Sequence, residues 1–178
     1  MVRRLTTCLK AMIISMIACL GLTGCSTSTS RDGSAVLADL ESLPVGMEVI
    51  HSPSKVRSPV GPDAEGWTYQ WFFKTEVRAI DRPLKIVKFG ICAWDGAKWI
   101  LPSDNQRYNA GIGGQTEFKE WYSCPSARIE PGKPAIDAEN WAGSHTRTPF
   151  RQKWFFVAAD DNGKRFKGEA VVELLDEN

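Results

Sequence analysis

Two histidines, His51 and His145, are the only imidazoles in this chain of 178 residues. General-base catalysis near neutral pH would have to run through one of them or through a carboxylate. Ser144 precedes His145, but adjacency in sequence does not aim a hydroxyl at a ring. Neither histidine lies in a Gly-x-Ser-x-Gly or Cys-Gly-Ser-Cys-Trp context, so serine or cysteine hydrolysis is not indicated. Metal chemistry has as little to work with, since the histidines are 94 positions apart and zinc or copper sites want several nitrogen and sulfur ligands together. A cupredoxin-like set of His51, His145 and a free cysteine is the one arrangement a β-sandwich offers. Asp160-Asp161-Asn162-Gly163 carries calcium-type oxygens without the downstream bidentate acid of a calcium loop, and reads as a turn. Gly111-Ile112-Gly113-Gly114 is followed by no Lys-Ser/Thr and is not a phosphate loop. Paired carboxylates suited to glycoside chemistry exist in number, yet no spacing selects a pair. The expectation is a protein without catalytic residues, bound metal or cofactor.

Binding chemistry has better candidates. Arg107, Tyr108, Trp121, Tyr122, Trp141 and His145 fall in a stretch with little strand character. Tryptophan and tyrosine give wide, rigid contact area with a polar handle, which suits sugar stacking or a partner surface. The alternative is that they cap the open end of the core as satellite packing.

The elements that would position these residues read mostly as strands. From Trp67 to Ala79 apolar and polar residues alternate, with Phe72 the exception on the outer face, which predicts a long strand with one buried side. Leu84 to Trp94 is apolar on both parities from Ile86, as in a strand covered on both sides or one that switches facing at a bulge, for which Gly90 is a candidate. Asp95-Gly96 before Lys98-Trp99-Ile100 signals a hairpin. Lys153 to Ala159, the Asp161-Asn162-Gly163 turn and the alternation from Arg165 to Leu174 predict a second hairpin. Met47 to His51 adds a strand, and Gly33 to Leu43 suits a short helix before Pro44. Between Leu101 and Pro149 the only elements expected are a short helix, Glu117 to Tyr122, capped by Thr116, and a brief strand at Ala135-Ile136. The sum is an all-β fold, an antiparallel two-sheet sandwich of immunoglobulin-like type with one long irregular excursion; a small β-barrel is the alternative.

The first 24 residues differ from all that follow. Arg3, Arg4 and Lys10 come without an acid, and Ala11 to Leu22 is a 12-residue apolar run. That is shorter than the roughly 20 residues of a membrane span and matches the core of a secretory signal. The run ends in Leu22-Thr23-Gly24-Cys25, which resembles the lipobox of bacterial lipoproteins. The resemblance implies cleavage before Cys25, a diacylglycerol thioether on its sulfur and a further acyl chain such as palmitate on its amino group. Multiple chains anchor stably where one is marginal. Ser26 as the second mature residue implies transfer to the outer membrane. An ordinary signal peptide is the competing reading. Ser26 to Ser30 looks like a flexible tether.

Residues 1–24 are thus expected as signal, 25–45 as lipidated cysteine and tether or short helix, and 46–178 as the domain. Basic residues fall from 22 to 19 against 21 acidic once the signal is gone, so the mature charge is −2. Binding to nucleic acid through phosphate neutralisation is not expected. Cys8 and Cys19 leave with the signal and Cys25 is the anchor; the remaining pair, Cys92 and Cys124, is expected as a disulfide in an oxidising compartment, with two free thiols as the alternative. The functional expectation is a lipid-anchored, non-catalytic binding or assembly module of the cell envelope, on the periplasmic face or the cell surface, with an envelope protein or glycan as partner. The alternatives are an envelope hydrolase using carboxylates and a structural lipoprotein that contacts other proteins.

Overall fold

A computed structural model describes residues 33–57, 69–102, 112–145 and 149–176. Cys25, Trp67, Arg107 and Tyr108 lie outside the described residues. The elements run α1 (Gly33–Ser42), β1 (Met47–Ser52), β2 (Lys55–Val56), β3 (Tyr69–Ala79), β4 (Leu84–Trp94), β5 (Trp99–Ile100), β6 (Ile112–Gly113), α2 (Gln115–Trp121), β7 (Arg128–Ile129), β8 (Ala135–Ser144), β9 (Phe150–Ala159) and β10 (Arg165–Leu174). The protein is mostly β, in two sheets that curl into a half-barrel.

One sheet has the order β1-β3-β8 and the other β2-β10-β9-β4-β5, with β6 and β7 also paired to β4. The long pairs are antiparallel, as the alternation predicted. The sheets approach each other where the chain entering β1 runs beside β10: Lys167 N–H donates to the Pro44 carbonyl at 2.8 Å, and Gly46 N–H to the Lys167 carbonyl at 3.0 Å. The approach is tight enough to need glycine, because a Cβ on Gly168 would stand 2.7 Å from Cβ of Met47.

Parity decides the two faces. Met47, Val49 and His51 of β1 meet Ala79, Val77 and Thr75 of β3 in register, and all point to the concave side. Trp154, Phe156 and Ala158 of β9 pair there with Ile91, Phe89 and Ile86 of β4. The opposite parity of these two strands, Cys92, Phe155 and Val157, forms a second cluster under Leu40 of α1. Both faces of β4 and β9 are therefore covered, which is why their sequences read as unbroken apolar runs. The bulge in β4 falls between Ile86 and Lys88 rather than at Gly90, which sits in regular pairing opposite Phe155.

The expected irregular excursion is more ordered than its sequence suggests. It holds β6, α2, β7 and the ten residues of β8, of which only Ala135-Ile136 carries strand-like composition. α2 begins two residues earlier than Thr116 would have capped it: Gly114 is the N-cap, and its N–H donates to the Glu117 carboxylate at 2.9 Å. The helix lies across the concave side against β4 and β8, its last carbonyl region tied to β8 by Ile136 N–H donating to the Tyr122 carbonyl at 3.2 Å.

Candidate functional site

Among the described members of the expected ligand surface, Trp121 and Tyr122 lie on one side of the fold and Trp141 on another. Trp121 and Tyr122 end α2 on the concave side. Tyr122 is 1% exposed, stacks on Phe118 at 4.5 Å and sets its edge on Phe156 at 5.6 Å. Trp121 turns edge-on to Phe89 at 5.4 Å. Trp141 is a β8 residue in register with Phe72, on the convex side of the small sheet, and His145 is exposed just past the end of β8. The excursion's aromatics thus divide between core and an opposite face.

The expected disulfide is not present: Cys92 and Cys124 are both free thiols. Cys92 faces α1 in the outer cluster, whereas Cys124 packs against the concave core, so a sheet lies between them. Spacing in sequence carried no information on which side of β4 each would fall.

The concave side holds a buried polar chain. Asn140 Nδ2 donates to Thr75 Oγ1 at 2.7 Å, and Thr75 Oγ1 lies 3.0 Å from His51 Nδ1. The Thr75 hydroxyl also faces the Tyr122 phenol, so it stands among three polar side chains. Burial pushes the imidazole down to about 4, opposed only by the Ala170 carbonyl, so the neutral form is the resident one. Burial, aided by the charge of Asp137, likewise holds the Tyr122 phenol well above its ordinary range. A hydroxyl hydrogen-bonded to a neutral histidine has the layout of an activated nucleophile. Here Thr75 is 0% and His51 6% exposed, so no substrate reaches the pair, and its effect is to tie β1, β3 and β8 together.

A solvent-facing arrangement lies on the other side of the large sheet, at the end where β4 finishes and β9 begins. An open groove of about 480 Å³ is lined by Trp94, Gly96, Phe150, Arg151, Glu173 and Leu175, among others. The Arg151 guanidinium stands 4.5 Å from the Trp94 ring centroid and 5.8 Å from that of Trp99. The two indoles meet edge-on at 5.2 Å, and Lys153 Nζ is 5.3 Å from the Trp99 ring. Register explains the grouping. Trp94 and Trp99 are partners across the β4–β5 turn, and Lys153 is the partner of Cys92, one outward position before Trp94. The turn itself is held by Asp95, whose carboxylate accepts from the Ala97 and Lys98 N–H groups at 2.9 and 2.8 Å.

Arg151 has no carboxylate within ion-pair distance among the described residues. Its register partner Glu173 is engaged by Lys55 at 3.0 Å, and Lys153 by Glu169 at 3.4 Å. A guanidinium stacked on indole keeps its N–H edge free for bidentate contact with a phosphate or carboxylate. Sequence reading placed Trp94 in the strand core and Trp99 after a hairpin, and passed over Arg151. The alternation of Arg151 and Lys153 was visible; their pairing with Trp94 and Trp99 needed the β4–β9 register. Among the described residues no three His, Cys, Asp or Glu side chains are placed to hold a metal ion, and no helix is long and apolar enough to cross a membrane. Comparison with protein-family models, curated proteins and solved structures finds no match.

Proposed function

We propose that the protein is a lipid-anchored module of the bacterial cell envelope that binds an anionic group in the Arg151 groove without transforming it. The observation that carries the binding reading is Arg151 held against Trp94 and Trp99 in an open groove, with no acid partner among the described residues. Such a site recognises charge and planarity, and the two carboxylates that line it are already held, Asp95 by backbone N–H groups and Glu173 by Lys55. The one histidine–hydroxyl pair of the concave side is closed to solvent. The anchor rests on the Leu22-Thr23-Gly24-Cys25 lipobox and the serine-rich stretch that separates it from α1.

Both halves are testable. Mass spectrometry of the amino-terminal peptide should find acylated Cys25, and Cys25→Ser should shift the protein out of the membrane fraction; an unmodified Cys25 in membrane-derived protein sinks the anchor. For the groove, titration with inorganic phosphate at constant ionic strength should perturb tryptophan emission, and Arg151→Gln should weaken that response about tenfold, the loss expected for one charge-assisted contact of 1.4 kcal/mol. An identical titration in the variant would remove Arg151 from the site.

A further inference from the structure

We infer that the face around Trp94, Trp99 and Arg151 lies against the membrane that holds the protein's own anchor, with Arg151 taking a lipid phosphate. This deepens the proposal above and rests on its lipidated Cys25. Two independent features of the molecule lead to it.

The first is where the tether meets the domain. The carboxyl end of α1 is fixed at β10, where Lys167 donates to the Pro44 carbonyl. α1 also touches β5, at the far edge of the same sheet, with Trp99 packed into the cluster under the helix. A ten-residue helix is about 15 Å long, the same as three strand spacings of about 4.8 Å. The helix therefore crosses the outer face from β5 to β10, and its first turn starts on the β5 side, beside Trp99. Between Cys25 and Gly33 there are eight Cα–Cα steps, so the acylated residue can be no more than about 28 Å from the start of α1. The chain that leads to Cys25 leaves the described domain on the β5 side of the outer face.

The second is the composition of that end. Trp94 and Trp99 are indoles of the kind that settle at a headgroup interface, apolar ring inward and N–H toward water. Val171, the register partner of Lys153 on this face, is 39% exposed. Lys98 and Arg151 supply positive charge around these side chains, Lys153 being paired with Glu169. The acids on this face are already engaged: Asp95 by backbone N–H groups, Glu173 by Lys55 and Glu169 by Lys153 and Lys167. An aromatic patch with Val171 exposed and cations at its rim complements an anionic lipid surface better than a neutral glycan, whose hydroxyls would need partners that Val171 does not offer. Because the tether holds lipid phosphates at high effective concentration, individually weak contacts are enough to seat the domain.

The test uses the mature lipoprotein purified from membranes and reconstituted into phosphatidylethanolamine–phosphatidylglycerol vesicles containing phosphatidylcholine brominated at shallow acyl positions. Two of the seven tryptophans are in the patch, so wild-type emission should fall by about a quarter through contact quenching at the interface. The Trp94→Phe, Trp99→Phe double variant should be unquenched, and Arg151→Gln should lose at least half of the quenching while retaining its near-ultraviolet circular dichroism. Acylated wild-type protein with unquenched tryptophans overturns the inference and leaves the anchor standing. Unacylated Cys25 in the same sample overturns both. Quenching that persists in the double variant assigns another face to the membrane and also overturns it. A groove that responds to inorganic phosphate in solution but not to brominated vesicles marks a soluble anion as the occupant and overturns it as well.

Discussion

Phe89 and Phe156 are register partners on neighbouring strands, and their rings lie nearly parallel, 8° apart in plane with centroids 5.7 Å apart. Phe118 and Tyr122 set their rings at steep angles to Phe156, and Trp121 does so to Phe89, so this one pair fastens α2 to the large sheet. Phe89→Ala should therefore lower unfolding free energy by about 3–5 kcal/mol, the usual result for emptying a fully buried aromatic site. Urea denaturation checks it, and a loss below about 1 kcal/mol would mean that α2 contributes little to the core.

Trp121 and Trp141 separate on the same measurement. Trp121→Ala removes a half-buried ring from the α2 contact and should cost about 2 kcal/mol, less than a fully buried aromatic. Trp141→Ala, on the convex side opposite Phe72, should cost less than Trp121→Ala. Equal losses in the two variants would contradict the assignment of Trp121 to the concave core.

His51 predicts an acid limb to stability. Its folded pKa of about 4 lies below the ordinary value of 6.5. Between those two values the unfolded chain binds a proton that the folded protein excludes, so unfolding is favoured as pH falls. The stabilisation is complete above about pH 6.5, declines below it and is gone once the pH has passed about 4; a shift of this size corresponds to about 3 kcal/mol. Denaturation series from pH 7.5 to 3.5 should show this loss, and His51→Gln should flatten it. The same slope in the variant would place the titration elsewhere.

The thiols should differ in reactivity. Cys124 is half-buried, while Cys92 is enclosed under α1, where burial pushes its pKa up to about 11. Mature protein treated with a thiol reagent at pH 8 should be modified at Cys124 in the native state and at Cys92 only on unfolding. No reactive thiol under non-reducing denaturing conditions would restore the disulfide.

Gly168 marks the seam between the sheets. A methyl there would stand 2.7 Å from Cβ of Met47 and 3.1 Å from the Met47 carbonyl oxygen. Relief requires β1 to move off β10, and Gly168→Ala should destabilise the fold by about 1–3 kcal/mol, as overpacking does. Thermal unfolding reads this directly, and an unchanged Tm would show that the seam has slack.

The strands were legible where composition and parity agree. Tyr69 to Ala79, Leu84 to Trp94 and Arg165 to Leu174 each carry a two-residue period or an unbroken apolar run, and each forms the strand that pattern implies. β8 was not legible. Ala135 to Ser144 has weak β propensity and owes its conformation to pairing along β3. The helix at Gly33–Ser42 and the all-β class were likewise readable from local signals.

The sequence by itself determined which positions alternate and where turns break the strands, because these depend on neighbours along the chain. Only the tertiary structure decided which strands are neighbours and in what register. That single choice moved Trp121 and Tyr122 into the core, put a sheet between Cys92 and Cys124, joined His51 to Thr75 and Asn140, and set Arg151 beside Trp94 and Trp99. The physical reason is that side-chain period constrains the face a residue occupies, whereas the residue it meets there depends on contacts distant in sequence.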